Sequence, residues 1–167
     1  MTTPTPTVGA NEGGAALVWA RRQATMGDYR ALLALELASW SINFPGEPFS
    51  ESAFRYSLEA GLRYHRMYVY EHDGQLIGWL WLDFNSSWDA VHIRHVQVAE
   101  PFWGRGGGAS LLRDAIKESR EAGRTAITLN VTKANLRAMH LYRAAGFVLD
   151  QDNGDRQRMR LELNTDD

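Results

Sequence analysis

The sequence predicts a single α/β domain built around a mixed β-sheet. Its 167 residues are about one domain's length. Strand-like and helix-like patterns succeed one another in the order β-α-α-β-β-β-α-β-α-β-β, with no linker and no internal repeat. The signals Asp73-Gly74 and Asn153-Gly154 mark antiparallel hairpins, whereas a glycine-rich turn after Val98 feeds a strand directly into a helix.

The elements follow in order. Residues 1–14, MTTPTPTVGANEGG, offer almost nothing to bury and read as a disordered arm, leaving 15–164 as the domain. Leu17–Arg22 reads as a first strand. Thr25 caps a helix over about Met26–Trp40, with Asp28 in its first turn and Leu32, Leu33, Leu35, Glu36 and Trp40 at loosely helical spacing. Ser41–Pro48, with two prolines and a glycine, reads as a loop, and a second helix fits Ser50–Gly61, stopped by its glycine. Three consecutive strands follow: Tyr64–Glu71, Gln75–Phe84 and Trp88–Val98. Beyond the glycines, Leu111, Leu112, Ala115, Ile116 and Ser119 mark one face of a helix ending at Gly123. Thr125–Val131 is a strand, Asn135–Ala145 a helix, and Phe147–Asp150 with Gln157–Leu163 the closing hairpin. Arg156, Arg158 and Arg160 alternate with Met159 and Leu161, the pattern of a solvated face on a half-buried strand.

Composition narrows the function. The chain is 44% hydrophobic and 23% charged, as globular proteins are. A formal net charge of −2 gives no basic field for nucleic acid or an anionic membrane. With no cysteine there is no disulfide, no thiolate metal site and no thiol nucleophile. No apolar run approaches the roughly 20 residues of a membrane span, and no secretory signal is visible, so a soluble cytoplasmic protein is expected.

The sharpest motif is Val98-Ala99-Glu100-Pro101-Phe102-Trp103-Gly104-Arg105-Gly106-Gly107-Gly108-Ala109-Ser110. Four glycines in five positions where a strand meets a helix let the backbone approach a ligand closely. Exposed amides at the positive end of the helix then form an anion site suited to phosphate. A P-loop would need Lys followed by Ser or Thr, where Ala109-Ser110 stands. A dinucleotide fold would need the loop after the first strand and an acid closing the next, but that next strand ends Val131-Thr132-Lys133.

These residues resemble the GNAT superfamily of acyl-CoA-dependent N-acetyltransferases. Trp103-x-x-Gly106-x-Gly108 is similar to the family's pyrophosphate loop, Gln/Arg-x-x-Gly-x-Gly/Ala, with Trp103 in place of Gln or Arg. Leu129-Asn130-Val131, then Asn135, Ala138, Leu141-Tyr142 and Gly146-Phe147, resembles its second cofactor motif. The resemblance implies a mostly antiparallel sheet of about seven strands with one splayed parallel pair, flanked by about four helices. It implies that acetyl-CoA is the co-substrate, its pantetheine lying in the splay against the backbone of Val96, Gln97 and Val98. Its pyrophosphate would be cradled by Trp103, Gly104, Arg105, Gly106, Gly107, Gly108 and Ala109, mainly through backbone amides. Asn135 would cap its helix and touch the cofactor, and Tyr142 would occupy the general-acid position. No metal is implied.

For the base, strict alternation along Val91–Val98 puts His92 with Arg94, Val96 and Val98, and His95 on the opposite face. His92 matches the position where several relatives place a Glu or His base, while His95 reads as a packing or surface histidine. The acceptor would be a small-molecule amine or a peptide N-terminus, attacked directly in a ternary complex. The loop Trp40–Phe49 either lines its pocket or anchors itself by buried aromatics, with Glu47 or Glu51 able to steer an ammonium. Trp79, Trp81 and Asp83 are equally core or pocket. The sequence leaves room for a homodimer, and for a non-catalytic acyl-CoA-binding or sensor protein of the same fold.

Overall fold

The structure, a computed structural model, describes residues 5–9 and 17–164. Eight strands form one sheet in the order β1-β2-β3-β4-β5-β6-β8-β7. They are β1 (Thr5–Gly9), β2 (Leu17–Gln23), β3 (Arg66–His72), β4 (Gln75–Asp83), β5 (Ala90–Val98), β6 (Ala126–Thr132), β7 (Val148–Asn153) and β8 (Arg156–Glu162). The helices are α1 (Tyr29–Asn43), α2 (Glu51–Tyr64), α3 (Gly107–Glu121) and α4 (Leu136–Ala144). All neighbouring strands run antiparallel except β5 and β6.

The sheet buries two apolar layers. On one face α1 and α2 bring Leu32, Leu35, Phe54 and Leu58 onto Met67, Val69, Trp79 and Trp81. On the other, α3 and α4 bring Leu111, Leu112, Ala115, Met139 and Tyr142 onto Leu80, Leu82, Val91, Ile93, Ile127 and Leu129. Along the end of β4, Trp79 and Trp81 face the first layer and Leu80 and Leu82 the second, as a two-residue period requires.

Four expectations need correction. Thr5–Gly9 pairs with Leu17–Arg21 as an outer strand, where the sequence reads as a disordered arm. Backbone pairing needs no apolar side chains, and an edge strand tolerates Pro6; residues 1–4 and 10–14 of the arm lie outside the described residues. The first helix begins as a 3-10 turn, Met26–Asp28, closed by a Thr25/Asp28 capping box, and α1 then runs on through Ser41 to Asn43. There the Asn43 side-chain amide donates to the Ser39 carbonyl. Helix α2 does not stop at Gly61 but passes through it. A Cβ on Gly61 would lie 2.3 Å from the Trp81 ring, so this glycine serves close helix–sheet packing.

The fourth correction concerns β5. Opposite β4, Trp81 pairs with His95 but Leu82 pairs with Ile93, so Arg94 is an extra residue in β5. Such a bulge shifts the facing of every later side chain. Val91, Ile93, Val96 and Val98 all face the α3/α4 layer, and His92, His95 and Gln97 all face the α1/α2 layer.

Candidate functional site

Strands β5 and β6 stay paired only from Ala90↔Ala126 to Ile93↔Leu129. Both continue beyond that point, to Val98 and Thr132, without pairing to each other. The bulge at Arg94 sits where the separation begins, and it twists and bends β5 away. Into this gap opens a cavity of about 870 Å³.

The glycine turn forms one wall. Gly104 and Gly106 have φ of 74° and 78°, conformations that side-chain-bearing residues resist, and Gly106 caps α3. The first amides of α3 have no partner within the helix and carry the positive end of its dipole. A Cβ on Gly108 would press to 2.8 Å from Leu141, so small size here also lets α3 approach α4. Trp103 donates its indole N–H to the Val98 carbonyl at 2.7 Å and presents its ring to the Arg137 guanidinium, 3.6 Å away. Where a Gln or Arg was usual in the resemblance, this tryptophan braces the loop and holds an arginine beside it.

Helix α4 forms a second wall. The Asn135 carboxamide accepts from the Ala138 amide, capping α4, and donates to the Asn43 side chain at 3.1 Å. The Asn43 carbonyl in turn accepts from Thr132, so the end of α1 is fastened to the β6–α4 turn. Tyr142 lines the cavity although only 8% exposed, and burial pushes its phenol up to about 12. It therefore holds its proton at neutral pH.

Of the expected site residues, Val96, Gln97, Val98, Trp103, Gly104, Gly106, Gly107, Gly108, Ala109, Asn135 and Tyr142 all line this one cavity. Arg105 is absent from the lining, its guanidinium lying over Phe102. His92 is also absent from it. Its Nδ1 lies 2.8 Å from the Thr128 hydroxyl, and burial, then Arg94, holds its imidazole below the ordinary value.

His95 takes the place expected of His92. It lines the cavity, stacks on Trp79 with ring centres 3.9 Å apart, and lies 2.6 Å from the Gln97 side-chain oxygen. Its other nitrogen is 3.5 Å from the carboxylate of Glu36, a cavity residue contributed by α1. The aromatic loop mostly anchors itself. Trp40 packs on Phe44 and Phe49 and donates to the Glu47 carbonyl, and only Phe44 of the three reaches the cavity. Glu51 accepts from the Tyr29 hydroxyl. Arg156 is not merely solvated: its guanidinium lies over Phe44 at 4.6 Å and lines the cavity. By contrast Arg158 and Arg160 pair with Asp150 and Asp89 on the surface.

Glu36, Arg94 and Arg156 were not foreseen as site residues. Each had a signal: Glu36 falls on the apolar stripe between Leu32 and Trp40, and Arg94-His95 are two polar residues in succession between Ile93 and Val96. Among the described residues no group of three or more metal-binding side chains occurs, and no helix is long and apolar enough to cross a membrane.

A parted parallel pair beside a glycine-started helix defines an α/β domain shaped to hold an extended ligand with an anionic end. The chain belongs to the acetyltransferase (GNAT) family, which it matches over residues 29–147. It is 35% identical over 75 residues to streptothricin acetyltransferase of Streptomyces lavendulae, a match covering 45% of this chain and 40% of that protein's length. Spermidine N-acetyltransferase of Vibrio cholerae, solved with CoA and spermine, has a similar fold: TM-score 0.69, 24% identity, 87% of this chain and 95% of that one. Ribosomal-protein-alanine N-acetyltransferase of Brucella melitensis is equally similar in fold, with TM-score 0.69, 24% identity and coverage of 86% and 99%.

Proposed function

We propose that the protein transfers an acetyl group from acetyl-CoA to a primary amine by direct attack within a ternary complex. The observation carrying this is the end of β5–β6 pairing at Ile93↔Leu129, which leaves β5 backbone beside the cavity free of β6. The residues present fit the coenzyme. Bare amides from Gly106 onward suit a diphosphate, Arg137 adds a cation beside them, and the gap past Val96 suits an extended arm. When bound, acetyl-CoA supplies the activated thioester.

The chain's own contribution is orientation, exclusion of water and proton handling. Fixing two reactants in one cavity can lower a barrier by about 7–11 kcal/mol when they are well aligned. Tyr142, kept protonated by burial, is the donor to the departing sulfur. A cationic amine is the favoured acceptor class: the cavity carries a carboxylate, Glu36, and relatives of this fold include a spermidine N-acetyltransferase.

The test is thiol release from acetyl-CoA across a panel of polyamines, amino acids, aminoglycosides and peptide N-termini. The chain has no cysteine to obscure the signal. Amine-dependent release is expected; binding of acetyl-CoA with no release for any amine would leave only a coenzyme-binding protein.

A further inference from the structure

We propose that Glu36 takes the proton from the acceptor ammonium, with His95 and Gln97 as positioning residues that fix an unprotonated imidazole nitrogen opposite its carboxyl. This rests on the acetyl-transfer reading above. The chain of hydrogen bonds decides the protonation pattern. The Leu35 carbonyl can only accept, and it lies 2.8 Å from the Gln97 side-chain nitrogen, so that amide's orientation is fixed. Its oxygen therefore faces His95 Nε2 at 2.6 Å, and Nε2 must carry the hydrogen. In the neutral ring Nδ1 is then bare, and it faces the Glu36 carboxyl at 3.5 Å. Two acceptors face each other across that gap, so a proton taken up by the carboxylate satisfies both.

Burial favours the same outcome from both sides, raising the Glu36 carboxyl above its ordinary value and lowering the His95 imidazole to about 4. The proton that the amine gives up accordingly comes to rest on Glu36 and is donated to Nδ1, while the imidazole stays neutral. Trp79 holds the ring flat from β4. The other charged or titratable side chains lining the cavity are Arg94, Arg137, His140, Tyr142 and Arg156.

The step balances. The ammonium gives one proton to Glu36, and the freed nitrogen pair forms the C–N bond to the thioester carbon. As the C–S bond breaks, its electron pair leaves on sulfur. Sulfur takes the Tyr142 hydroxyl proton, and the nitrogen's second proton refills the phenol. Products are the amide and the thiol, and Glu36 returns its proton to water.

The experiment uses the full-length protein and the best amine from the panel. Glu36→Gln is expected to lower kcat/KM for the amine at least 100-fold while acetyl-CoA affinity and melting temperature stay within error. Glu36→Asp should recover part of the loss. Gln97→Met frees the imidazole to change tautomer, and His95→Phe keeps the ring stack but removes both nitrogens. Each should shift the acidic limb of the kcat/KM–pH profile downward by about one unit, because the protonated carboxyl loses its acceptor. Full turnover in Glu36→Gln, or an unmoved limb in both Gln97→Met and His95→Phe, overturns the proposal. Wild-type protein that binds acetyl-CoA but acetylates no amine overturns the acetyl-transfer reading itself, and this assignment with it.

Discussion

His92 and His95 project from the same face of β5, because the ladder to β4 slips by one residue at Arg94. The slip turns His95 toward the cavity and Glu36, while His92 faces Thr128 across the surviving part of the parallel ladder. His92→Gln should therefore leave the kcat/KM–pH profile superimposable on wild type and change kcat less than about threefold. A profile that loses its acidic limb in this variant would restore His92 as the base.

The same strand shows how far the sequence could be read. Val91, Ile93, Val96 and Val98 are apolar, with two polar residues between the second and third, so the phase change was present in the letters. Strict alternation smoothed it over, since a bulge declares itself only once a partner strand fixes the register. The order of elements, the Thr25, Ser50 and Asn135 caps and the glycine turn were legible because each is a local property of the chain. Gly61 reads as a stop in the sequence because its purpose lies outside its own helix, in the close approach of α2 to Trp81 on β4. Glu36 and Arg156 escaped for a similar reason: they come from α1 and β8, and only the folded sheet brings them to one cavity.

Tyr142→Phe should lower kcat by roughly 10²–10⁴-fold, the usual range for losing a positioned acid. Acetyl-CoA affinity should change less than about threefold, since the ring and its packing against Phe147 remain. Steady-state kinetics with calorimetric binding checks this. Wild-type turnover would remove Tyr142 from the proton path.

Trp103→Phe removes the indole donor to the Val98 carbonyl, and Trp103→Ala also removes the surface under Arg137. Acetyl-CoA affinity should fall about threefold in the first and about tenfold in the second, corresponding to roughly 1 kcal/mol for a hydrogen bond or a stacked cation. Values of kcat should hold. Unchanged affinity in both would mean that the tryptophan braces nothing the coenzyme needs.

Gly61→Ala should destabilise the fold by about 1–3 kcal/mol in denaturant titrations. Alanine favours a helix by about 1 kcal/mol over glycine, but the added methyl meets a rigid indole at 2.3 Å and forces repacking. A neutral or stabilising effect would show that α2 can move away from Trp81.

Stability should fall as pH drops from about 6.5 toward 4. Burial holds His95 at about 4, with Gln97 acting in the opposite direction, whereas the unfolded chain protonates this histidine near 6.5. The unfolded state thus binds more protons in that window, and stability is full above it and lost below. Burial and Arg94 depress His92 in the same sense, while the raised Glu36 carboxyl acts in the opposite one. The His95 contribution is on the order of 2 kcal/mol between pH 7 and 5. Denaturant midpoints at the two values check the sign; a midpoint that rises on acidification would contradict it.

The most direct test of the whole account is a crystal structure of the protein with acetyl-CoA. The account predicts the diphosphate on the amides from Gly106 to Ala109, with the acetylated arm between the parted ends of β5 and β6 and the thioester near Tyr142 and Glu36. Strands paired shut beyond Ile93 and Leu129, or the coenzyme bound elsewhere on the surface, would contradict it.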